Sequence, residues 1–236
     1  MRKITVLLLA SCALRLTARA DFDRANKEFS TGNYKGAIVD YQAEVAAHRW
    51  SANLFYDLGN AYYRVNDIGR AILNYKRALV LDPRHPEPAT NLQIARDQSR
   101  GLELTPAAAE TWLGTLRSST WAIAAAVCFW LGIFALFLPR TSATVAGAIF
   151  CFVLSAGCVY SVWSLESGTQ GARSAVVVSD NAEARVATAD SARSILALPP
   201  GSEVMILQER GDWNYAELPN HQRGWIAANA GEKVRL

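Results

Sequence analysis

Cysteine and histidine are scarce in this chain. Of its 236 residues, four are cysteine and three are histidine. Cys12 lies in an apolar stretch near the start of the chain, and the other cysteines lie in two long apolar runs: Cys128, Cys151 and Cys158. The remaining segments therefore offer no thiol for a disulfide, a thiolate metal site or a cysteine nucleophile.

Signatures of catalysis are also missing. His48, His85 and His221 stand alone in the sequence, without the HExxH, CxxC or Gly-x-Ser-x-Gly spacings that assemble metal or acyl-transfer sites. No glycine-rich phosphate loop is present, and the scattered basic residues form no stripe for nucleic acid. We therefore predict no catalytic residue, no metal site and no cofactor, and expect a protein that is not an enzyme.

Charged residues are absent from two neighbouring apolar runs, at about 119–138 and 142–165. Each has the ~20 residues that a helix needs to cross a hydrocarbon core of about 30 Å. Only Pro139, Arg140 and Thr141 separate them. A helix in a soluble protein normally shows a polar face, so we predict a two-helix transmembrane hairpin. The alternative is a buried helical pair inside a globular domain.

The start of the chain resembles an export signal. Residues 1–3 are basic at two positions, residues 4–14 are apolar, and residues 18–20 read Ala-Arg-Ala. This pattern predicts a signal peptide at 1–20. Lipidation at Cys12 and an uncleaved anchor are the alternatives. Export would place both termini of a two-pass bacterial inner-membrane protein on the extracytoplasmic, periplasmic side, with Arg140 on the cytoplasmic side.

Residues 21–100 contain an internal repeat. At a shift of 34 residues, Ala37 aligns with Ala71 and Tyr41 with Tyr75. The second copy resembles the tetratricopeptide repeat in carrying a bulky residue, Leu-Gly, Tyr, Ala, an aromatic, Ala and Pro at that family's spacing: Phe55, Leu58, Gly59, Tyr62, Ala71, Tyr75, Ala78 and Pro83. The pattern predicts helices at about 22–31, 34–47, 52–65, 68–81 and 86–99. The last would cap a two-repeat solenoid, which we expect to stack on something else or on another copy.

The resemblance implies a concave face built from the first helix of each repeat. Mapping the repeat onto this sequence gives a candidate partner-binding set of seven residues: Asn26, Phe29, Asn53, Tyr56, Asn60, Tyr63 and Arg64. Asparagine side chains can bind the backbone of an extended peptide, and Arg64 can bind a carboxylate. The alternative is that these residues form ordinary solvated helix faces. Phe22, Glu87 and Asn91 replace the basic residues of the carboxylate-gripping members of the family, which argues against that activity.

The sequence of residues 101–118 has two interpretations, a short interfacial helix and a plain linker. Beyond the second apolar run, residues 171–236 predict a small all-β module, because short β-rich stretches alternate with turn residues. The expected strands are 175–179, 184–187, 203–208, 213–218, 224–227 and 233–236.

The β module resembles the bacterial SH3-like domain. The similarity rests on Leu-Pro-Pro-Gly-Ser-Glu-Val at 198–204, Gly-Asp-Trp at 211–213 and Gly-Trp at 224–225. The family's Arg-Ser-Gly-Pro after the second strand is missing. The resemblance implies a small barrel with an aromatic ligand groove formed by Trp213, Tyr215 and Trp225. The alternative is that the two tryptophans pack the core and rim of the barrel.

The predicted fold class is a multi-domain membrane protein: an all-α tetratricopeptide solenoid, a transmembrane hairpin and a small all-β SH3-like barrel. This order resembles the BatE family of bacterial aerotolerance operons. The resemblance implies membrane proteins with von Willebrand A domains and a MoxR-type ATPase as partners, in envelope or oxidative-stress tolerance. We therefore expect a non-catalytic membrane scaffold. The alternatives are a peptidoglycan-binding sensor or anchor, and an envelope-processing enzyme whose catalytic residues the sequence does not supply.

Overall fold

The structure is a computed structural model that describes residues 22–139, 141–169 and 171–236. The predicted signal peptide at 1–20 and the alternative lipidation at Cys12 lie outside these residues. Arg140, at the predicted cytoplasmic turn, lies outside them as well.

Five helices make up the first part of the described chain. The side chains of Asn33, Ser51 and Asp67 each accept a hydrogen bond from the backbone amide three residues further on. Such caps satisfy amides that have no partner within the first turn, so these polar residues fix where three of the helices begin. The helices are α1 (22–30), α2 (Tyr34–Ala46), α3 (Ala52–Arg64), α4 (Ile68–Leu81) and α5 (Pro86–Gln98).

Small residues let α3 and α4 cross closely. A Cβ built on Gly59 of α3 would lie 2.7 Å from the ring of Tyr75 on α4. Tyr75 is 1% exposed and Ala71, one turn earlier, is fully buried. The glycine and alanine that the repeat pattern singled out therefore lie where a larger side chain would separate the two helices.

Two long apolar helices follow a helix of six residues. They are packed side by side: Gly132 lies against the ring of Phe152, and the Ser155 hydroxyl donates to the Ala125 carbonyl at 2.9 Å. Both helices are long and apolar enough to cross a membrane, judged by length and composition. Most of their surface is exposed in the protein alone. The three helices are α6 (Ala108–Leu113), α7 (Ser118–Ala135) and α8 (Ser142–Ser167).

The last part of the chain forms a seven-stranded antiparallel sheet with the order β3-β2-β6-β5-β4-β1-β7. A short 3-10 helix, Ala228–Ala230, precedes the last strand. One strand, β3, has no counterpart among the predicted strands. The strands are β1 (Ser174–Val177), β2 (Ala182–Arg185), β3 (Ser194–Leu198), β4 (Glu203–Arg210), β5 (Trp213–Glu217), β6 (Arg223–Ala227) and β7 (Gly231–Lys233).

The sheet is open, so the predicted closed barrel is wrong. β3 and β7 lie at the two ends of the strand order and do not pair with each other. The edge of β7 contacts α4 instead of another strand, because Arg77 Nη2 donates to the Lys233 carbonyl at 2.9 Å. A strand edge whose acceptor is satisfied in this way is protected without a further strand.

The sheet packs directly on the helical repeat. Val176 of β1 and Val234, just after β7, belong to the same hydrophobic core as Ile72 of α4. A Cβ on Gly69 would lie 3.0 Å from the Val177 carbonyl, so α4 approaches β1 at backbone distance here. The repeat and the sheet therefore share one core rather than forming two bodies joined by a linker.

A buried ionic cluster reinforces this interface. The Glu203 side chain is 2% exposed and pairs with Lys76 Nζ at 2.7 Å and with Arg96 Nη2 at 2.6 Å. Burial acts to raise the pKa of Glu203, but Lys76 and Arg96 hold that pKa below its usual range. Burial lowers the pKa of Lys76, and Glu203 opposes this shift. A second contact, between Arg77 and Glu232 at 3.3 Å, lies nearer the solvent.

Candidate partner-binding groove

A cleft of about 480 Å³ lies on the side of the repeat formed by α1, α3 and α5. The repeat pattern assigns α1 and α3 to the concave face, and α5 adds a third side to the cleft. The β-sheet packs against α4, on the other side of the α3–α4 layer, and leaves the cleft uncovered. The lining residues are Phe29, Tyr56, Asn60, Tyr63, Arg64, Tyr75, Asn91 and Ile94.

Asn60 is held in place at the floor of the cleft. Its Oδ1 accepts hydrogen bonds from the Tyr75 hydroxyl at 2.8 Å and from Asn91 Nδ2 at 2.9 Å. Burial raises the pKa of Tyr75, so its hydroxyl keeps its proton as a donor. The Asn60 amide nitrogen has no hydrogen bond to any residue that the structure describes. It is therefore a donor that a ligand can use.

Asn91 offers the complementary group. Its Nδ2 is engaged by Asn60 at 2.9 Å and lies 3.5 Å from the Tyr56 hydroxyl. Its carbonyl oxygen has no partner within the described part of the chain. One free donor on Asn60 and one free acceptor on Asn91 match the acceptor and donor of a peptide group.

Aromatic rings and one cation surround these amides. Tyr56 lies with its ring centroid 6.3 Å from that of Tyr75 and 5.8 Å from that of His85. Arg64, at the exposed rim, has its guanidinium 5.9 Å from the ring centroid of Tyr34. No carboxylate of the described residues pairs with Arg64. The cleft therefore combines apolar walls, two amide hydrogen-bonding groups and a positive rim.

The structure brings together five of the seven residues predicted for this face: Phe29, Tyr56, Asn60, Tyr63 and Arg64. The other two do not line the cleft. Asn26 Oδ1 accepts a hydrogen bond from the Tyr41 hydroxyl at 2.6 Å, and Asn53 Oδ1 lies 3.0 Å from His85 Nε2. Asn60 accepts the equivalent hydrogen bond from Tyr75, so Asn26 differs from it in not bordering the cleft rather than in its bonding.

Sequence reasoning missed three lining residues: Tyr75, Asn91 and Ile94. Tyr75 belongs to the repeat signature, and the structure places it in both the core and the cleft. Asn91 and Ile94 lie on α5, which the sequence suggested only as a cap. The sequence did contain a signal for them. A capping helix takes the position of the first helix of a further repeat, so residues of α5 could have been assigned to the same face as those of α3.

The sheet carries a second candidate surface. Tyr215 on β5 and Trp225 on β6 are register partners, and their ring centroids lie 5.0 Å apart. Trp213, two residues earlier on β5, shares their face because side chains alternate along a strand. The opposite face carries the buried Ala216 and Ile226 of the sheet core. The three aromatic residues are half-buried and lie outside that core.

Within the described ranges, no group of three or more His, Cys, Asp or Glu residues is placed to hold a metal ion. His85, which lies beside the cleft, makes contacts within the fold. His85 Nδ1 lies 2.8 Å from Glu87 Oε2. The described residues at both candidate surfaces supply hydrogen bonds, aromatic contact and charge.

Comparison with known protein families supports the repeat predicted in the helical part of the chain. Residues 52–85, which contain α3 and α4, match the family model of the tetratricopeptide repeat. No curated protein matches the chain. The chain thus contains a tetratricopeptide repeat, a non-catalytic repeat that serves protein–protein interaction.

Proposed function

We propose that this protein is a non-catalytic membrane-anchored scaffold whose cleft binds an extended segment of a partner protein. One observation carries the proposal. The Asn60 amide nitrogen is a free donor and the Asn91 carbonyl oxygen is a free acceptor, and the two residues are neighbours between aromatic walls. An extended peptide offers both hydrogen-bonding groups at each residue. Arg64 at the rim adds a preference for a segment with an acidic residue or a carboxylate nearby.

Membrane anchoring is supported by the exposed surface of α7 and α8. Such extensive apolar surface on two adjacent helices is unusual for a soluble monomer. Aromatic residues collect at the end of the pair that adjoins the repeat and the sheet: Trp112 and Trp121 have ring centroids 6.4 Å apart, and Tyr160 and Trp163 have theirs 5.9 Å apart. Tryptophan and tyrosine favour the membrane–water boundary.

We further propose the two-pass orientation in which the repeat and the sheet lie on the extracytoplasmic face. Neither of these modules contains a native cysteine, so Ser191→Cys would place one thiol on an exposed loop. In intact cells, a membrane-impermeant maleimide should label this variant. Labelling only after lysis would reverse the orientation, and removal of the protein from membranes by carbonate would refute the anchoring.

The cleft is tested by co-purification of the full chain from mild detergent, followed by mass spectrometry. Wild type is compared with Asn60→Ala/Tyr63→Ala, which removes a floor donor and an aromatic wall. Gln93→Ala is the matched amide control, because Gln93 lies on α5, is exposed and bonds no described side chain other than Asp97, at 2.9 Å. We expect the partner to be lost from the double variant and kept in the control.

The resemblance to the BatE family makes this experiment more specific. The partners that this resemblance implies are membrane proteins with von Willebrand A domains, together with a MoxR-type ATPase system, in an envelope or oxidative-stress tolerance complex. Their appearance with wild type and their loss from the cleft variant would support that assignment. Equal recovery with both proteins would place their contact elsewhere on the molecule.

The aromatic face of the sheet favours a second candidate function, attachment to peptidoglycan. Trp213, Tyr215 and Trp225 form a half-exposed surface of the kind that binds sugar rings or peptides. The sequence resemblance to bacterial SH3-like domains points the same way, although the sheet is open. In a sacculus pull-down of the detergent-solubilised chain, Trp213→Ala should lose retention if this function holds. Trp50→Ala, at an exposed tryptophan of the repeat, is the control.

A further inference from the structure

A second cavity, of about 220 Å³, lies where three parts of the molecule meet. The end of α4 contributes Leu79 and Leu81, the segment before α7 contributes Leu116 and Arg117, and the end of α8 contributes Leu165. Arg235, near the last residue of the chain, also lines it. The cavity thus combines an apolar wall with two guanidinium groups.

The position of this cavity is set by the apolar helices. Ser118 and Ser119, the first two residues of α7, line it, as does Leu165 in the last turn of α8. Trp121 and Trp163 lie within one turn of these residues along the same helices. If α7 and α8 cross a membrane, the cavity therefore opens at the level of the lipid headgroups.

The charge around the cavity is positive. Arg117 is exposed and forms no ion pair with any described residue. Arg235 Nη1 pairs with Glu166, so one carboxylate is present. A third guanidinium lies nearby, since Arg84 Nε donates to the Thr115 carbonyl at 3.4 Å. Arg117 and Arg235 line the cavity, whereas Glu166 and Asp82 only adjoin its lining residues, so the lining favours an anionic ligand.

We propose that this cavity binds the headgroup of an anionic phospholipid. Arg117 and Arg235 would hold the phosphate, because a guanidinium presents paired donors that match phosphate oxygens. Leu116 and Leu165 would contact the first part of an acyl chain. Basic pockets at the membrane ends of helices recognise acidic lipids in this way. The inference rests on the proposed membrane anchoring.

The test is native mass spectrometry of the full chain in mild detergent, with equal amounts of phosphatidylglycerol and phosphatidylcholine. We expect wild type to retain phosphatidylglycerol preferentially. Arg117→Gln should weaken this retention by about five-fold, which is the ~1 kcal/mol that one basic residue contributes near an acidic membrane surface. Arg173→Gln is the control, because Arg173 is also exposed, lies just beyond α8 and does not line the cavity.

Three results would overturn the lipid site. Equal retention of the two lipids, or an equal effect of Arg117→Gln and Arg173→Gln, would reduce the binding to general surface charge. Displacement of phosphatidylglycerol by millimolar inorganic phosphate would show a small-anion site instead. Carbonate extraction separates this failure from that of the proposed function: a chain that resists extraction but does not discriminate lipids loses only the lipid site.

Discussion

Removing the carboxylate of Glu203 should weaken the contact between the sheet and the repeat more than any single surface change. In Glu203→Gln, Lys76 loses its carboxylate partner while its side chain is only 8% exposed, and Arg96 keeps only Glu103, at 3.3 Å. Breaking a buried ion pair from one side costs about 3–5 kcal/mol. We expect about 3 kcal/mol, because the glutamine oxygen still accepts one hydrogen bond.

Urea unfolding of the full chain in mild detergent, followed by tryptophan fluorescence, measures this loss. With a slope of about 2 kcal/mol per molar urea, a loss of ~3 kcal/mol moves the midpoint by about 1.5 M. Lys76→Met should cost only about 1 kcal/mol, because it removes a desolvated ammonium and leaves Glu203 paired with Arg96 at 2.6 Å.

The control is Glu217→Gln, at an exposed ion pair with Arg223. Pairs of this kind contribute about 0–1 kcal/mol. The reasoning about the buried cluster is refuted if Glu203→Gln costs no more than Glu217→Gln, or if Lys76→Met costs more than Glu203→Gln.

The same carboxylate gives a pH dependence. The folded pKa of Glu203 lies below its usual range, so the folded state binds this proton less readily than the unfolded state. Its contribution to stability is therefore present above the unfolded pKa, about 4.3, and is lost as the pH falls through the folded pKa. Glu203→Gln should abolish this acid-side loss, and the two proteins should converge in stability at low pH.

Three further predictions concern single positions. Burial raises the pKa of Asp57 to about 6, so its ionisation destabilises the fold as the pH rises through that value. At pH ~7.5, Asp57→Asn should therefore raise the free energy of unfolding by about 1 kcal/mol, and with it the melting temperature. At pH ~4 the substitution should leave both nearly unchanged. Gly59→Ala should destabilise the repeat by about 1–2 kcal/mol in urea unfolding, because its Cβ would overlap the fixed ring of Tyr75; a neutral or stabilising result would show that the ring can move. Trp225→Ala should cost under about 1 kcal/mol and Ile226→Ala about 3 kcal/mol by the same assay, since only Ile226 lies in the sheet core; equal costs would place Trp225 in the core.

The helices of the repeat could be predicted because their determinants are local. α4 was predicted at 68–81 and is observed at Ile68–Leu81. Gly59 and Tyr75 pack within one pair of adjacent helices, and Pro83 lies just beyond the end of α4. Each of these residues acts over a short stretch of chain, where sequence patterns carry most information.

The sheet was harder to predict because its edges depend on distant residues. β3 is an edge strand whose pairing with β2 contains a register shift, and its sequence, with Ile195, Leu196 and Leu198, does not alternate clearly between polar and apolar. At the β7 edge of the open sheet, the Lys233 carbonyl accepts a hydrogen bond from Arg77, which lies 156 residues earlier in the chain. No pattern within the β module contains that information.

Five of the seven residues predicted for this face line one cleft, and Asn26 and Asn53 do not. Asn26 and Asn53 have the residue type and spacing of the lining residues, but each bonds a neighbour that the fold brings close, Tyr41 and His85. Asn60 bonds Tyr75 in the same way and still lines the cleft, so whether an amide borders the cleft depends on how the helices pack around it. That information arises only when the helices are packed.

The position of α4 has a consequence for multivalent binding. Consecutive residues of this helix serve opposite sides, since Tyr75 holds Asn60 in the cleft and Lys76 holds Glu203 of the sheet. The cleft and the aromatic face are therefore separated by a fixed span rather than by a flexible tether. A partner whose two contact points match this span would gain a high effective concentration at the second site, without the entropy cost of ordering a linker. A partner whose contact points have a different spacing would gain no effective concentration at the second site. The shared core would therefore select partners by the distance between their two contact points.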